Sequence, residues 1–357
     1  MKKKLQKKTS SSKEKSIIFL CFLKGEKNLN IKTRDNYFDN LRGLLIIAVI
    51  VGNSLEYISP SSVNPHYLIL FLYLFHMPLF TFISGYFCKK SKRSTADKVF
   101  DTAKIYLFAQ TFYFIFNRYL LNRTSVKFQL LYPSWTLWYL LALTVWYVIS
   151  DHIKNYKRAF ILSIAASLLI GFDGSIGTYA SASRIFFFLP FFIAGMAFNK
   201  EQFLEKYKKY AVHFGILTSI ILIILFCIRE FTSVEYFFEY VCYTFYDDSA
   251  VYPFILRIFH YISGFIISGF LLIVFTDKKT FLTWFGRNSL ILYICHAAVI
   301  QLLTLKPILK YGSWLHLIIS ESFILAVLFI LTIIIQKFML HIKSLQNSDT
   351  ALDLVNS

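Results

Sequence analysis

Charged residues are scarce in this sequence, at 16% of 357 positions, whereas about 25% is usual in a soluble domain. Hydrophobic residues make up 56% of the chain, and its mean hydropathy is +0.55. This composition excludes an ordinary soluble domain and a disordered chain. Because apolar runs of spanning length recur along the sequence, we predict an all-α fold, a polytopic membrane bundle of about ten transmembrane helices.

Acidic residues are also few, since 20 Asp and Glu stand against 38 Lys and Arg, which gives a formal net charge of +18. In a soluble protein, such a charge would suggest a nucleic-acid partner. Here the basic residues cluster in the N-terminal tail and in short loops, where they set membrane topology. We therefore predict no nucleic-acid partner.

The cysteines are few and scattered, and no CxxC pair occurs among Cys21, Cys88, Cys227, Cys242 and Cys295. This spacing indicates neither a zinc site nor a disulfide framework. The sequence also lacks a soluble catalytic triad, a phosphate loop and a dinucleotide fingerprint. We predict that the protein holds no metal and no bound cofactor.

Residues 1–34 hold eleven Lys and Arg, and their only apolar run, SIIFLCFL, is too short to span a membrane. No small-residue cleavage site follows this run, so we interpret the segment as a basic cytoplasmic tail attracted to anionic lipid. A transmembrane domain is expected over residues 35–343, and a short C-terminal tail over residues 344–357. The predicted spans are residues 38–58, 68–88, 100–116, 134–150, 159–173, 184–199, 210–228, 254–275, 284–303 and 315–338.

Lysine and arginine recur in alternate loops, at residues 89–98, 154–158, 200–209 and 278–287. Two of the other loops, SPSSVNPH at residues 59–66 and GSIGTYASAS at residues 174–183, contain neither residue type. Positively charged loops stay on the cytoplasmic side of a membrane. The sequence therefore predicts a multi-pass protein of the cell membrane with both termini in the cytoplasm.

The first predicted helix, YFDNLRGLLIIAVIVGNSLEY at residues 37–57, carries four polar residues at membrane depth. At 100° per residue, Arg42 and Asn53 lie about 20° apart around the helix axis, and Asp39 and Glu56 fall within roughly 60° of them. Polar groups are costly in hydrocarbon, so this stripe should face the protein interior, a cavity or a substrate path. The alternative is a set of hydrogen bonds that only joins helices.

Three further segments place polar side chains at similar depth: residues 75–87 (FHMPLFTFISGYF), 184–196 (RIFFFLPFFIAGM) and 285–300 (FGRNSLILYICHAAVI). A single intramembrane histidine is often only a helix contact. Two histidines with arginines and a carboxylate could instead supply general bases, an acid partner, and cations for a phosphate or a developing oxyanion. We expect one interior cavity to collect seven side chains, those of Asp39, Arg42, Asn53, Glu56, His76, Arg184 and His296.

One predicted extracytoplasmic loop, residues 229–253 (REFTSVEYFFEYVCYTFYDDSAVYP), is long, acidic and rich in Phe and Tyr. Aromatic rings stack on sugar faces and carboxylates bind hydroxyls. We therefore predict that this loop contacts an external glycan through residues such as Tyr236 and Glu239. The alternative is an aromatic belt at the membrane interface or a cap over the bundle.

Five segments form an ordered set along the chain: RDNYFDNLRGLLIIAVIVGNSLE, FHMPLFTFISGYF, SWTLWYLLAL, SRIFFFLPFFIAGM and WFGRNSLILYICHAAVI. In order and spacing they resemble the motifs of the membrane acyltransferase-three family, above all those of its fucose 4-O-acetylase-like branch, over about residues 34–340. The resemblance implies a membrane O-acyltransferase that takes an acyl group from cytoplasmic acyl-CoA, such as acetyl-CoA. The acceptor would be a hydroxyl of a cell-surface or exported polysaccharide outside the cytoplasm.

The sequence departs from the family pattern at one important position. The family's first helix has an Arg followed, after ten residues, by a His that is regarded as the catalytic base. Arg42 matches the Arg, but Asn53 stands where the His is expected. An asparagine side chain cannot accept a proton at physiological pH. Losing a general base would cost roughly 100- to 10,000-fold in rate if nothing replaced it.

Three interpretations of Asn53 remain open. The chain is a catalytically silent member that acts in polysaccharide export or assembly, or it is an enzyme whose base is Glu56, His76 or His296. In the third interpretation, Asn53 orients the acceptor in an active enzyme.

The resemblance and the predicted topology also assign binding roles. Arg42 and Arg287 are expected near the inner surface, where they can hold the phosphates of the acyl-CoA donor. Binding of the acceptor glycan is expected from a second set of residues, namely Asp39, Arg184, Tyr236 and Glu239.

Overall fold

The computed structural model describes residues 35–57, 65–176, 179–246, 248–305 and 313–355. The predicted basic tail, residues 1–34, lies outside these ranges. Residues 344–355, which we expected to be a C-terminal tail, continue the last helix of the chain. Within the described ranges the fold is entirely helical.

Thirteen α-helices are present in the described part of the chain, and several short 3₁₀ or π turns extend or connect them. In chain order they are α1 Asn36–Tyr57, α2 His66–Lys90, α3 Thr95–Ile115, α4 Trp138–His152, α5 Tyr156–Ile170, α6 Ala182–Ala197, α7 Lys200–Tyr207, α8 Ala211–Ile228, α9 Val234–Phe237, α10 Val251–Val274, α11 Phe281–Arg287, α12 Ser289–Thr304 and α13 Trp314–Val355.

The number of membrane spans is lower than the ten that we predicted. Each predicted segment contains a helix, but six helices in the described ranges are long and apolar enough to cross a bilayer, or seven if the bent pair α11 and α12 forms one span. Helices α4 and α5 have 15 residues each, and at 1.5 Å per residue they are about 22 Å long, shorter than a hydrocarbon core of about 30 Å. The prediction of ten full spans is therefore not confirmed.

The predicted ninth span is broken, because α11 and α12 meet at an angle of 82°. Asn288 ends α11, and its side-chain amide donates to the carbonyl of Trp284 at 2.8 Å, which caps the helix end. The approach to α11 is fixed by Asn40 of α1, whose amide donates to the carbonyls of Thr276 and Lys278 at 2.9 and 2.8 Å. The break therefore turns α11 across the Asp39 end of α1.

Helices α1 and α11 touch through their backbones. A methyl group at Gly43 would lie 2.0 Å from the carbonyl oxygen of Leu282, and one at Gly286 would lie 1.8 Å from that of Asp39. No side chain fits at either distance, so glycine at both positions is what allows this contact. Close backbone approach through small residues is the usual way in which membrane helices pack. The contact brings Arg287, the last residue of α11, next to Asp39.

Replacing Gly43 with alanine should separate α1 from α11 and destabilise the protein by about 1–3 kcal/mol. The matched control is Gly215→Ala in α8, where the nearest atom would be a ring carbon of Phe270 at an ordinary 3.4 Å. Thermal unfolding of both purified variants in detergent checks this prediction. Equal unfolding temperatures for the two variants would contradict the close packing of α1 on α11.

Candidate active site

A cavity of about 360 Å³ lies at the Asn53 end of α1, between α1, α2, α4 and α6. Its volume is within the range of small-molecule sites, about 300–1,000 Å³. Polar and aromatic side chains line it together, so it can hold a ligand that has both apolar faces and hydroxyl groups. The lining residues are Val49, Asn53, Glu56, Tyr73, His76, Met77, Tyr132, Pro133, Trp135, Thr136, Trp138, Tyr139, Ser181, Arg184, Phe188, Phe237, Phe238, Tyr240 and Tyr293.

A hydrogen-bonded chain runs along one wall of the cavity from His296 to Glu56. The amide nitrogen of Asn53 lies 3.1 Å from Nε2 of His296, and the Tyr73 hydroxyl donates to the Asn53 amide oxygen at 3.2 Å. The same hydroxyl also contacts the Glu56 carboxyl group. The Tyr73 hydroxyl thus lies between an amide oxygen and a carboxyl group and joins Asn53 to Glu56.

His296 is buried behind this wall and is absent from the residues that line the cavity. Its Nδ1 lies 2.7 Å from the carbonyl oxygen of Tyr293 and 3.2 Å from that of Leu292. A carbonyl only accepts, so Nδ1 carries the proton and Nε2 of the neutral ring accepts from Asn53. Both nitrogens of His296 are therefore occupied inside the bundle, and its role here is to hold Asn53.

His76 is held differently, since it is buried in α2 and also lines the cavity. Its Nδ1 lies 2.6 Å from the carbonyl oxygen of Leu72, one turn earlier, which places the proton on Nδ1. Among the described residues, Nε2 has no hydrogen-bond partner. His76 thus presents a basic nitrogen with an available lone pair at the cavity.

Arg184 supplies a cation to the same cavity. Its Nε donates to the carbonyl of Phe238 at 2.8 Å, and its guanidinium lies 4.9 Å from the ring centre of Trp138 and 5.0 Å from that of Tyr240. These contacts leave its terminal N–H groups without a hydrogen-bond partner in the described ranges. Arg184 also interacts electrostatically with Glu56. A fixed guanidinium of this kind can stabilise an anionic group in the cavity.

The loop that follows α9 also reaches the cavity, which is lined by the aromatic rings of Phe237, Phe238 and Tyr240. Burial raises the pKa of the Tyr240 hydroxyl, the Glu235 carboxylate raises it further, and Arg184 opposes both. The hydroxyl is therefore neutral at physiological pH and can donate a hydrogen bond. Together with Trp135 and Trp138, this ring gives the cavity flat apolar faces.

A second polar cluster lies at the other end of α1. Arg42 donates to one carboxylate oxygen of Asp39 at 3.0 Å, and Arg287 donates to the other at 3.1 Å. Arg287 also donates to the side-chain oxygen of Asn36 at 2.9 Å. Asp39 is fully buried, whereas the side chains of Arg42 and Arg287 are 23% and 37% exposed. The carboxylate thus fixes two arginines whose outer faces can bind an anion.

A comparison with known protein families identifies the family of this chain. The family model described as an acyltransferase domain, of the acyltransferase-three family, matches residues 35–336. The chain belongs to this acyltransferase family. No curated protein and no solved structure matches the chain. The matched region holds the cavity and both arginines of the second cluster, so the two sites described above belong to the acyltransferase domain.

In this acyltransferase the seven predicted residues do not share one cavity. Asn53 and Glu56 line it with His76 and Arg184, as expected, and His296 stands behind Asn53. Asp39 and Arg42 are elsewhere, because eleven residues of helix separate Arg42 from Asn53 by about 16 Å. A helical wheel shows which residues share a face of a helix, but it does not show how far apart they lie along the axis. The shared face therefore predicts a single cavity where the structure has two separate polar clusters.

The expected glycan contact through Glu239 is not available in this acyltransferase. Its side chain is only 1% exposed and forms ion pairs with Arg257 at 2.8 Å and with His260 at 2.9 Å. Tyr236 packs against the Tyr246 ring and is also absent from the cavity lining. The loop contributes to the cavity through other residues, namely Phe237, Phe238 and Tyr240.

Three residues that organise the site are not among those predicted from the sequence. Tyr73 joins Asn53 to Glu56, while Arg257 and His260 bind the loop that carries Glu239. A signal for the last two was present, because both lie inside the predicted span 254–275, where an ionisable residue always needs a partner. Tyr73 gave no such signal, since tyrosine is common in an aromatic helix.

Replacing Tyr73 with phenylalanine should lower acyl transfer by about 10- to 100-fold, because Asn53 and Glu56 lose the hydroxyl that sets their positions. Tyr67→Phe is the matched control on α2, since its hydroxyl donates to the carbonyl of Leu222 away from the cavity. Turnover of acetyl-CoA by the purified variants checks the prediction. Equal rates in the two variants would show that the hydrogen-bonded chain has no part in the reaction.

Proposed function

We propose that this chain is an O-acyltransferase that moves an acetyl group from cytoplasmic acetyl-CoA to a hydroxyl of an extracytoplasmic polysaccharide. The single observation that carries the proposal is the presence of a basic nitrogen, His76 Nε2, and a fixed cation, Arg184, in one cavity of an acyltransferase domain. These are the two groups that acyl transfer to a hydroxyl needs, a proton acceptor and a group that stabilises the oxyanion.

His76 is the best candidate for the base among the three that the sequence left open. His296 has both ring nitrogens occupied and lies behind the wall. Glu56 also lines the cavity, but its carboxyl group is engaged by the Tyr73 hydroxyl and by the charge of Arg184. His76 combines a ring nitrogen that has no other partner among the described residues with a place in the lining.

In the reaction, the acceptor hydroxyl oxygen attacks the thioester carbonyl carbon while His76 Nε2 takes the hydroxyl proton. The negative charge that develops on the carbonyl oxygen faces the Arg184 guanidinium. The C–S bond then breaks, and the leaving thiolate receives the proton from the imidazolium of His76. The products are the acyl ester of the glycan and free CoA, and the enzyme returns to its starting state.

The acceptor site is the cavity itself. Rings of Trp135, Trp138 and Tyr240 offer stacking faces for a sugar, and Glu56 and Arg184 offer hydrogen-bonding groups beside them. This assignment replaces the external loop surface as the acceptor site and keeps Arg184 in the acceptor role. The branch with fucose 4-O-acetylase-like members fits such an acceptor, because its reaction is the esterification of one sugar hydroxyl.

The donor phosphates bind at the other end of α1, on Arg42 and Arg287. Their side chains are fixed by Asp39 and remain partly exposed, which suits a bidentate contact with phosphate. The separation of about 16 Å along α1 suits an extended donor, whose phosphates stay at one end while the thioester reaches the cavity. Asp39 then acts by orienting both arginines and makes no contact with the acceptor.

Replacing His76 with glutamine should lower kcat by about 100- to 10,000-fold, because glutamine cannot accept the proton. The matched control is His66→Gln at the start of α2, since Nε2 of His66 bonds to the carbonyl of Thr232 outside the cavity. The acceptor is the host polysaccharide from which the esters have been removed with mild alkali. The measurement is its acetylation by the purified enzyme in the presence of acetyl-CoA.

Asn53→His completes this test, because it restores the residue that the family has at this position. If His76 is the base, the added histidine should leave turnover unchanged or lower it by displacing Tyr73 and His296. A large gain in Asn53→His, with normal turnover in His76→Gln, would place the reaction at position 53 instead. Absence of turnover in the wild type, with loss of polymer export but not of acetylation in a gene deletion, would favour the export role.

Replacing Arg42 with lysine should raise the KM for acetyl-CoA by about 10-fold, because an ammonium group does not replace a bidentate fork. The KM for the polysaccharide should stay within about twofold, since the acceptor cavity is about 16 Å away. Arg229→Lys is the matched control, an exposed arginine whose contacts are with Phe226 and Glu230. An unchanged acetyl-CoA KM in Arg42→Lys and in Arg42→Ala would remove Arg42 from the donor site.

A further inference from the structure

A buried ionic cluster lies next to the cavity and has no part in the mechanism above. The Glu239 carboxylate forms an ion pair with Arg257, with 2.8 Å between Oε2 and Nε, and its Oε1 lies 2.9 Å from His260 Nδ1. Arg257 and His260 stand one turn apart on α10, and all three side chains are at most 4% exposed. Removing three such groups from water is costly, so their mutual pairing must hold them together.

The cluster joins the 237–240 segment to three helices. Arg257 donates to the carbonyl of Ser167 on α5 at 2.9 Å and to the hydroxyl of Ser183 on α6 at 3.3 Å. Nε2 of His260 donates to the carbonyl of Tyr73 on α2 at 3.1 Å. Glu239 itself has a left-handed backbone with φ 59°, which a non-glycine residue keeps only when its surroundings enforce it.

Two cavity groups depend directly on the residues that this cluster holds. Phe238, the neighbour of Glu239, accepts the hydrogen bond that orients Arg184, and Tyr240, the other neighbour, stacks on the same guanidinium. On the opposite side, His260 holds the backbone of Tyr73, whose hydroxyl contacts Asn53 and Glu56. One buried carboxylate therefore fixes both walls of the acceptor cavity without touching a ligand.

We infer that Glu239 is a positioning residue for the acceptor, which sets Arg184 through the 237–240 segment and Tyr73 through His260. The inference rests on the proposed function, because it names the substrate that the cluster serves. The donor arginines lie at the far end of α1 and make no contact with the cluster. Loss of the Glu239 charge should therefore change acceptor binding and leave donor binding unaltered.

The experiment compares kinetic constants of wild type and Glu239→Gln, with acetyl-CoA as donor and the de-esterified host polysaccharide as acceptor. We expect the acceptor KM to rise about 10- to 100-fold, since small displacements of substrate-binding groups have effects of this size. The acetyl-CoA KM should stay within about twofold. This split separates a positioning role from general loss of structure, which would lower both affinities or the amount of active enzyme.

Glu230→Gln is the matched control, because Glu230 is an exposed carboxylate of the same loop that pairs with Arg229 outside the cluster. It should leave both constants unchanged. If Glu239→Gln does not fold, Arg257→Lys is the second variant. It keeps the positive charge but loses the guanidinium N–H groups that bond to Ser167 and Ser183, so it should raise the acceptor KM and leave the acetyl-CoA KM unchanged. An unchanged acceptor KM, or an equal change in both constants, in the folded variant would overturn the inference.

A second measurement does not require turnover. Cys242 lies three residues after Glu239 and is partly exposed, so its rate of labelling by maleimide, followed by peptide mass spectrometry, reports how firmly the segment is held. The rate should increase in Glu239→Gln and not in Glu230→Gln, and equal rates would overturn the positioning role. A wild type without any turnover would instead overturn the proposed reaction and with it the acceptor role, whatever the labelling shows.

Discussion

Every polar group that is buried in an apolar helical bundle needs a partner within the protein, because the surrounding lipid offers none. This constraint explains most of the polar contacts in the structure. Asp39 is paired by two arginines at one end of α1, and Asn53 is paired by His296 and Tyr73 at the other. The helices are thereby fixed at two points, one at each end of α1.

The same constraint limits which groups can do chemistry. A side chain whose lone pairs and protons are all used within the bundle is stable but cannot exchange a proton with a substrate. His296 is such a group, whereas His76 uses one nitrogen for the helix backbone and leaves the other at the cavity. Under the proposed function, the loss of a histidine at position 53 is compatible with activity because a different histidine faces the same space.

The polar contacts require helices that pack closely, and glycine residues allow this close packing. Asp39 can meet Arg287 only because α11 lies directly against α1, and that contact depends on Gly43 and Gly286. Helices α2 and α6 also pack through glycines, because a methyl group at Gly85 or Gly195 would lie 1.9 Å from a carbonyl oxygen of the other helix. This second contact brings the helices of His76 and Arg184 together, so both ligand-binding regions rest on backbone packing.

The sequence by itself determined the all-helical membrane fold, the acyltransferase family and the importance of the stripe on α1, because hydropathy, charge and motif order are local properties of the chain. It also indicated His76 and Arg184, since polar groups at membrane depth stand out from apolar neighbours. Only the tertiary structure separated Arg42 from the cavity, broke the ninth span at Asn288 and paired Glu239 with Arg257. Those results depend on distances between helices, and a linear pattern gives the face of a residue but not the partner it meets there.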